Sequence, residues 1–346
     1  MTDITIPQTT SATTPIVDAP QVLELCKSAE KIAICGHINP DGDALGSALA
    51  LRNLLESPEF SPGVDRQVTL LLGQDGSAPE LYDFLPNYHF IAARNYTDTP
   101  DLFICVDCPT LKRIGSSRDA FERAAATLVI DHHANYEGYA DYYYGNCRAA
   151  ATGNLIWGLI RLSGVTPTRN MALFCYVAIL TDTGRFSFQN TNAQAFADAT
   201  EMVRLGVSPS DVAEMVYESK SMAALKLEAR LIERMRFALD GQLVCSYVTE
   251  QDLYELGIGR DATEGLPSIL RSIAGVKVAV LLREETDGLR VNLRSRCGIN
   301  VADFACAFGG GGHAGAAGFT LDMPLVEAER SVIPELEALI SRTSST

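Results

Sequence analysis

Four short, apolar, β-rich runs constrain this chain most, because three of them stop on acids or imidazoles. Lys31–Cys35 (KIAIC) runs into Gly36-His37, Leu102–Val106 (LFICV) into Asp107, and Thr127–Ile130 (TLVI) into Asp131-His132-His133. Gln67–Leu72 (QVTLLL) is the fourth. Such runs are continuous instead of alternating, and helical stretches are expected at Ala44–Leu55, Ala149–Leu162, Met171–Thr181 and Ala193–Leu205. That pattern predicts a largely parallel sheet covered on both faces. Open α/β sheets bind ligands at the carboxyl ends of their strands. The chemistry is therefore expected in the loops just named.

A change comes near Gly206. Ser208-Pro-Ser-Asp is a helix start signal, and a polar-faced helix is expected from there to about Met235 as a connector. Beyond it lie strand candidates Leu243–Val248, Lys277–Leu282 and Leu289–Arg296, then a helix and the run Gly309–Gly312. The expected fold class is α/β, with two α/β domains joined by a helical linker. The expected division is a disordered Thr/Pro-rich tail at 1–18, a first domain at 19–205, the linker at 206–235 and a smaller domain at 236–346.

Charge narrows the partners. The 346 residues carry 28 basic and 43 acidic side chains, a formal charge of −15. Coating long DNA or RNA needs many Lys/Arg–phosphate contacts, so binding to long duplex DNA is not expected. The longest apolar run, near Met171–Leu180, is too short to span a bilayer, and no membrane role is expected. No charged-then-apolar leader opens the sequence, and nine scattered cysteines suit reduced thiols, which together predict a cytoplasmic protein.

Only five histidines occur, and four sit in three unusual motifs. His37, Asp41 and Asp43 fall within Gly36-His-Ile-Asn-Pro-Asp-Gly-Asp43, where Pro40 and Gly42 release them from strand alternation. An imidazole and two carboxylates so close suit a divalent ion such as Mn²⁺ or Mg²⁺; the plainer alternative is a turn with an Asp capping the next helix. Asp107 ends a strand, where an acid taken alone is more often a cap or a loop ion pair. A zinc or redox reading of Cys105-x-x-Cys108 is discounted, because strand residues three apart face opposite sides and no second pair completes a site. Asp182 closes an apolar helix, where its charge opposes the macrodipole, and either a metal or Arg185 would compensate. His89 reads as scaffold and Trp157 as core.

Together these segments resemble the DHH phosphoesterase superfamily. His37-x3-Asp41-x-Asp43, Asp107, Asp131-His132-His133 and Asp182 match its four motifs in order. The second half resembles the associated DHHA1 domain through Leu293-Arg-Ser-Arg296 and Gly309-Gly-Gly-Gly-His313. Within the superfamily the chain is most similar to nano-RNases that also dephosphorylate 3′-phosphoadenosine 5′-phosphate (pAp). The resemblance implies two metal ions, Mn²⁺ first, with Mg²⁺ or Co²⁺ as alternatives, in a site in the cleft between the domains. His37 and Asp41 would hold one ion, Asp43, His132 and Asp182 the other, and Asp107 would bridge them. A hydroxide shared by the metals would attack in line. His133 would contact the substrate phosphate, and Asp131 would orient a neighbouring group.

In the second half, Arg290, Asn292, Arg294 and Arg296 occupy alternate strand positions and project from one face. Guanidinium forks suit phosphate recognition, though a solvated sheet face has the same pattern. The glycines before His313 could approach a ligand closely, and their N–H groups could cradle a phosphate. The resemblance makes Arg294, Arg296, Gly310, Gly311, Gly312 and His313 the substrate clamp. Where many relatives have a basic or polar residue after that histidine, this chain has Ala314-Gly315. The implied partners are short RNA oligonucleotides and phosphorylated nucleotides, and the resemblance also allows a homodimer. Two rival readings are a phosphodiesterase of pApA or cyclic dinucleotides, and a nucleotide- or RNA-binding module without catalysis.

Overall fold

A computed structural model describes residues 14–218, 220–263, 265–285, 288–296 and 298–343. It divides into two compact units, residues 1–216 and 217–346. In the first, β1 (Lys31–Cys35), β2 (Gln67–Leu72), β3 (Ile91–Ala92), β4 (Leu102–Val106), β5 (Ala126–Asp131) and β6 (Tyr142–Gly145) form one sheet. Its order is β3-β2-β1-β4-β5-β6, and every pairing is parallel. The chain builds outward from β1 in one direction, then returns to β4 and builds the other way. The order thus reverses between β1 and β4, the place where such sheets open a crevice at their carboxyl ends.

The helices are α1 (Ala19–Ser28), α2 (Gly42–Leu55), α3 (Arg118–Arg123), α4 (Thr152–Leu162), α5 (Arg169–Asp182) and α6 (Ala193–Arg204). α2 and α5 are apolar nearly all round and buried accordingly. Gly46 lets them touch: a Cβ there would lie 2.4 Å from the Phe174 carbonyl oxygen. Trp157 is in the core, 1% exposed, with its Nε1 donating to Glu201.

Two expectations need correction. Residues 1–13 lie outside the described part, but 14–18 are not a loose tail. Val17 N donates to Tyr143 O and Tyr143 N to Pro15 O, so this arm covers the edge of β6 before Asp18 caps α1. The single helix expected from Ser208 to Met235 is α7 (Pro209–Ala213), a π-helical turn over Glu214–Glu218 and α8 (Met222–Glu233). Ser221 restarts the helix as an N-cap, its hydroxyl accepting from Ala224 N.

In the second unit, Leu227 and Leu231 of α8 are buried in one core with Val244, Val248 and Leu281. Its strands are β7 (Arg236–Ala238), β8 (Leu243–Val248), β9 (Val278–Glu285), β10 (Gly288–Ser295), β11 (Gly311–His313) and β12 (Ala316–Leu321). The sheet order is β11-β12-β10-β9-β8-β7, antiparallel except for β8–β9. Helices α9 (Glu250–Leu256), α10 (Leu266–Arg271), α11 (Val301–Ala307) and α12 (Leu325–Thr343) complete it. No helix among the described residues is long and apolar enough to cross a membrane.

Candidate active site

The reversal point gathers the predicted residues of the first unit. His37 follows β1, Asp107 follows β4, and Asp131 ends β5 with His132 and His133 behind it. Asp41 is the N-cap of α2, accepting from Asp43 N and Ala44 N, so the capping alternative and the site reading apply to one residue at once. Asp182 is the last residue of α5.

Two sets of donors face each other across Asp107. His37 Nε2 lies 3.8 Å from Asp41 Oδ2 and 3.5 Å from Asp107 Oδ2. His132 Nε2 lies 3.5 Å from Asp107 Oδ1, 3.6 Å from Asp182 Oδ2 and 3.8 Å from Asp43 Oδ2. These separations exceed good hydrogen bonds and suit atoms that converge on a common cation. Both rings are turned the same way: His37 Nδ1 sits 2.8 Å from Ile38 O and His132 Nδ1 3.2 Å from Ala149 O. A backbone acceptor at Nδ1 fixes the proton there and leaves the Nε2 lone pair for a metal.

The electrostatics of the pocket favour added positive charge. Asp43 is fully buried, and burial, then the Asp107 charge, push its carboxyl well above the usual range. It does so despite bonds from Thr152 N at 2.7 Å, Gly153 N at 2.9 Å and the Ser47 hydroxyl. Burial and the nearby Arg113 cation oppose protonation of His37, yet Asp107 and Asp41 prevail and raise its pKa to about 9. Burial would also raise Asp107, but the three imidazoles around it hold it well below the carboxylate range. The sets His37/Asp41/Asp107 and Asp43/His132/Asp182 each have ligand atoms within 4.8 Å of one another. Mixed imidazole and carboxylate donors, with four negative charges between them, fit two divalent cations.

His133 differs from the other two. Its Nδ1 lies 2.7 Å from Asp131 Oδ1, and its backbone N–H also donates to that oxygen. Asp131, with no exposed surface, thus aims His133. The structure adds residues the motifs do not show. The Thr152 hydroxyl donates to Asp107 Oδ1 at 3.1 Å, and Asn190 Nδ2 to Asp182 Oδ2 at 2.9 Å. Ala151-Thr-Gly-Asn154 opens α4, and a helix start aimed at a carboxylate was the one available signal for Thr152.

Two readings change. Cys105 and Cys108 do share a side: both are buried in one core with Cys35. Asp107 adopts φ 55°, which breaks strand alternation at that point. Burial pushes the Cys35 and Cys108 thiols up, so they are inert neutral groups. In the second unit, Arg290, Asn292 and Arg294 do line one face of β10, with Leu289, Val291 and Leu293 buried behind. Arg296 lies one residue past the strand and is exposed.

The expected open glycine cradle is also more built than the sequence suggested. Gly309 N and Gly310 N donate to Cys306 O and Ala305 O, closing α11, so these two N–H groups are engaged. Gly311–His313 pairs with β12, and a Cβ on Gly312, at φ 142°, would sit 2.4 Å from Ala316 O. Close packing of two strands requires that glycine.

Family models match in two places: the DHH family, N-terminal domain, over residues 31–179, and the DHHA1 domain over residues 240–342. The chain belongs to the DHH family and carries a DHHA1 domain; it is a hydrolase acting on ester bonds. It is 28% identical to the bifunctional oligoribonuclease and PAP phosphatase NrnA of Thermus thermophilus, over 93% of this chain and 94% of that one. The protein of the same name from Bacillus subtilis is 27% identical, over 90% and 95%. An exopolyphosphatase-related protein from Bacteroides fragilis shares the fold, with TM-score 0.81, 24% identity and coverage of 94% and 96%.

Proposed function

We propose that this protein hydrolyses the phosphate esters of short oligoribonucleotides, releasing mononucleotides, and of pAp, giving AMP and phosphate. The observation that carries this reading is the pair of imidazole–carboxylate sets that share Asp107. His37 and Asp41 would hold one divalent cation, Asp43, His132 and Asp182 a second, and Asp107 both, with Mn²⁺ the first candidate. When bound, such a pair supplies Lewis acidity and lowers the pKa of water toward neutrality. The protein's own part is to fix those donors. Thr152, Gly153 and Asn190 restrain the carboxylates, and Asp131 holds His133 with its other nitrogen turned to the substrate phosphate.

The second unit would grip the far phosphate or nucleotide through Arg294, Arg296 and the Gly310-Gly311-Gly312-His313 segment. Both named relatives are bifunctional oligoribonucleases and PAP phosphatases, which supports this substrate class. The −15 charge supports small ligands, since a local arginine cluster suffices for them. All six proposed metal donors are present and gathered, which argues against a module without catalysis.

The deciding measurement compares initial rates on pAp, RNA of two to five nucleotides, longer RNA and cyclic di-AMP, each with Mn²⁺. Fast release of AMP and mononucleotides, falling as RNA lengthens, is expected. A clear preference for cyclic di-AMP or for long RNA, or no hydrolysis at all, overturns the reading.

A further inference from the structure

Three arginines of the first unit are buried or half-buried: Arg52, Arg66 and Arg113. The first two are explained by backbone carbonyls. Arg52 donates to Asn87 O and His89 O, and Arg66 to Ala29 O and Leu55 O. Arg113 has no such explanation: among the described residues its guanidinium makes no hydrogen bond and no ion pair. This happens in a chain where acids outnumber bases 43 to 28. A half-buried guanidinium with no carboxylate or carbonyl bound to it keeps its donors available to an anionic ligand.

Its placement says which ligand. Arg113 is bonded through its backbone to Ile38, the residue after His37, which sets it beside the set His37/Asp41/Asp107, and its cation opposes the charging of His37. The backbone around it is clamped on both sides. Ile38 N donates to Arg113 O at 2.7 Å, binding the segment to the loop after β1. Ser116 N donates to Gly73 O at 2.8 Å, binding it to the loop after β2. Arg113 N donates to Thr110 O, closing a turn that starts three residues after Asp107. The same stretch of chain therefore carries both a proposed metal ligand and an arginine whose backbone is held in place.

We infer that Arg113 is a substrate-binding residue, which pairs with phosphate oxygens of the ester on the His37 side of the site. The inference rests on the proposed phosphoesterase reading and adds a cationic contact within the first unit to those expected from the second. Four carboxylates would offset two divalent cations, leaving the loaded site near neutral overall and its net charge preference for an anion weak. A guanidinium at its rim supplies that preference, and its planar fork fits two oxygens of one phosphate.

The test measures kcat, KM and the Mn²⁺ concentration for half-maximal rate, on pAp and on an RNA dimer, for wild type, Arg113→Lys and Arg113→Ala. Thermal melting of each accompanies the kinetics, and inhibition by inorganic phosphate is measured in parallel. Arg113→Ala should raise KM about 10–100-fold and weaken phosphate inhibition to a similar extent, with melting and Mn²⁺ requirement unchanged. Arg113→Lys should recover part of the loss. KM and phosphate inhibition within twofold of wild type would overturn the inference, as would a change confined to the Mn²⁺ requirement or to melting. If the wild type itself left both substrates intact, the reading of function would fail instead. Phosphate binding by wild type and Arg113→Ala, followed calorimetrically with Mn²⁺ present, would still decide the role of Arg113.

Discussion

Asp107 does two jobs with one carboxylate, because its oxygens face different imidazoles, Oδ2 toward His37 and Oδ1 toward His132. Asp107→Asn keeps the shape and removes the charge. It should lower kcat on pAp by on the order of 10²–10³-fold or more, and weaken Mn²⁺ binding in calorimetry. In the proposed reaction Asp131 acts one step removed, through the His133 it is bonded to. Asp131→Asn should cost on the order of 10–100-fold in kcat/KM while leaving Mn²⁺ affinity close to wild type. A drop in metal affinity as large as the drop in rate would mean that Asp131 serves the cations directly. The acids and imidazoles were legible in the sequence because they crowd into short motifs at strand ends. Asn190 was not, since a residue that only supports another carboxylate leaves no local signature, and Thr152 was marked by nothing but a helix start. The two cysteines were misplaced for a related reason: one left-handed residue, Asp107, resets which side the chain faces.

Among the elements, the contact of α2 with α5 is the one most exposed to a single substitution. Gly46→Val places atoms where the Phe174 carbonyl stands, 2.4 Å from a Cβ. It should cost about 1–3 kcal/mol and loosen the loop that carries Asp41 and Asp43, both visible in denaturant melts and in the rate. In the second unit, Asp252 is buried beneath the half-exposed Arg230 and Arg234, which both bond to it, and it caps α9 through Thr249. Burial would raise its pKa, but the Arg234 guanidinium, the Thr249 N–H and Arg230 hold it well below the ordinary carboxylate range. A depressed pKa stabilises the fold above the unfolded value of about 4 and ceases to do so as pH falls through the folded value. Asp252→Asn should therefore destabilise at pH 7 by on the order of 2–3 kcal/mol, and the difference from wild type should shrink below pH 4. A difference independent of pH would refute the charge assignment. The long elements were readable from apolar runs. β3 has two residues and β6 is Tyr-Tyr-Tyr-Gly with half-buried rings, so neither shows an apolar run. The break before α8 hides in a sequence of good helix formers, where one capping serine decides.

At the level of the whole molecule, two divalent cations would reduce the formal charge from −15 to about −11. Ions held by the folded state alone stabilise it, by about 2.7 kcal/mol at a concentration 100 times the dissociation constant. Adding Mn²⁺ should thus raise the melting temperature of wild type and leave that of Asp107→Asn nearly unmoved. Changes in the proposed clamp, Arg294→Ala or His313→Ala, should raise KM with little effect on that metal-induced shift.

The donors come from five separate places in the chain, from His37 to Asp182, and each is set by a different strand or helix end. A ribosome that has delivered the first three motifs has still made only one complete donor set. The second set closes when α5 has emerged and packed, so a truncated or half-folded product keeps an open, strongly acidic pocket instead of a loaded one. Tight capture of both proposed ions would in this way report that the chain has been synthesised and folded at least through α5.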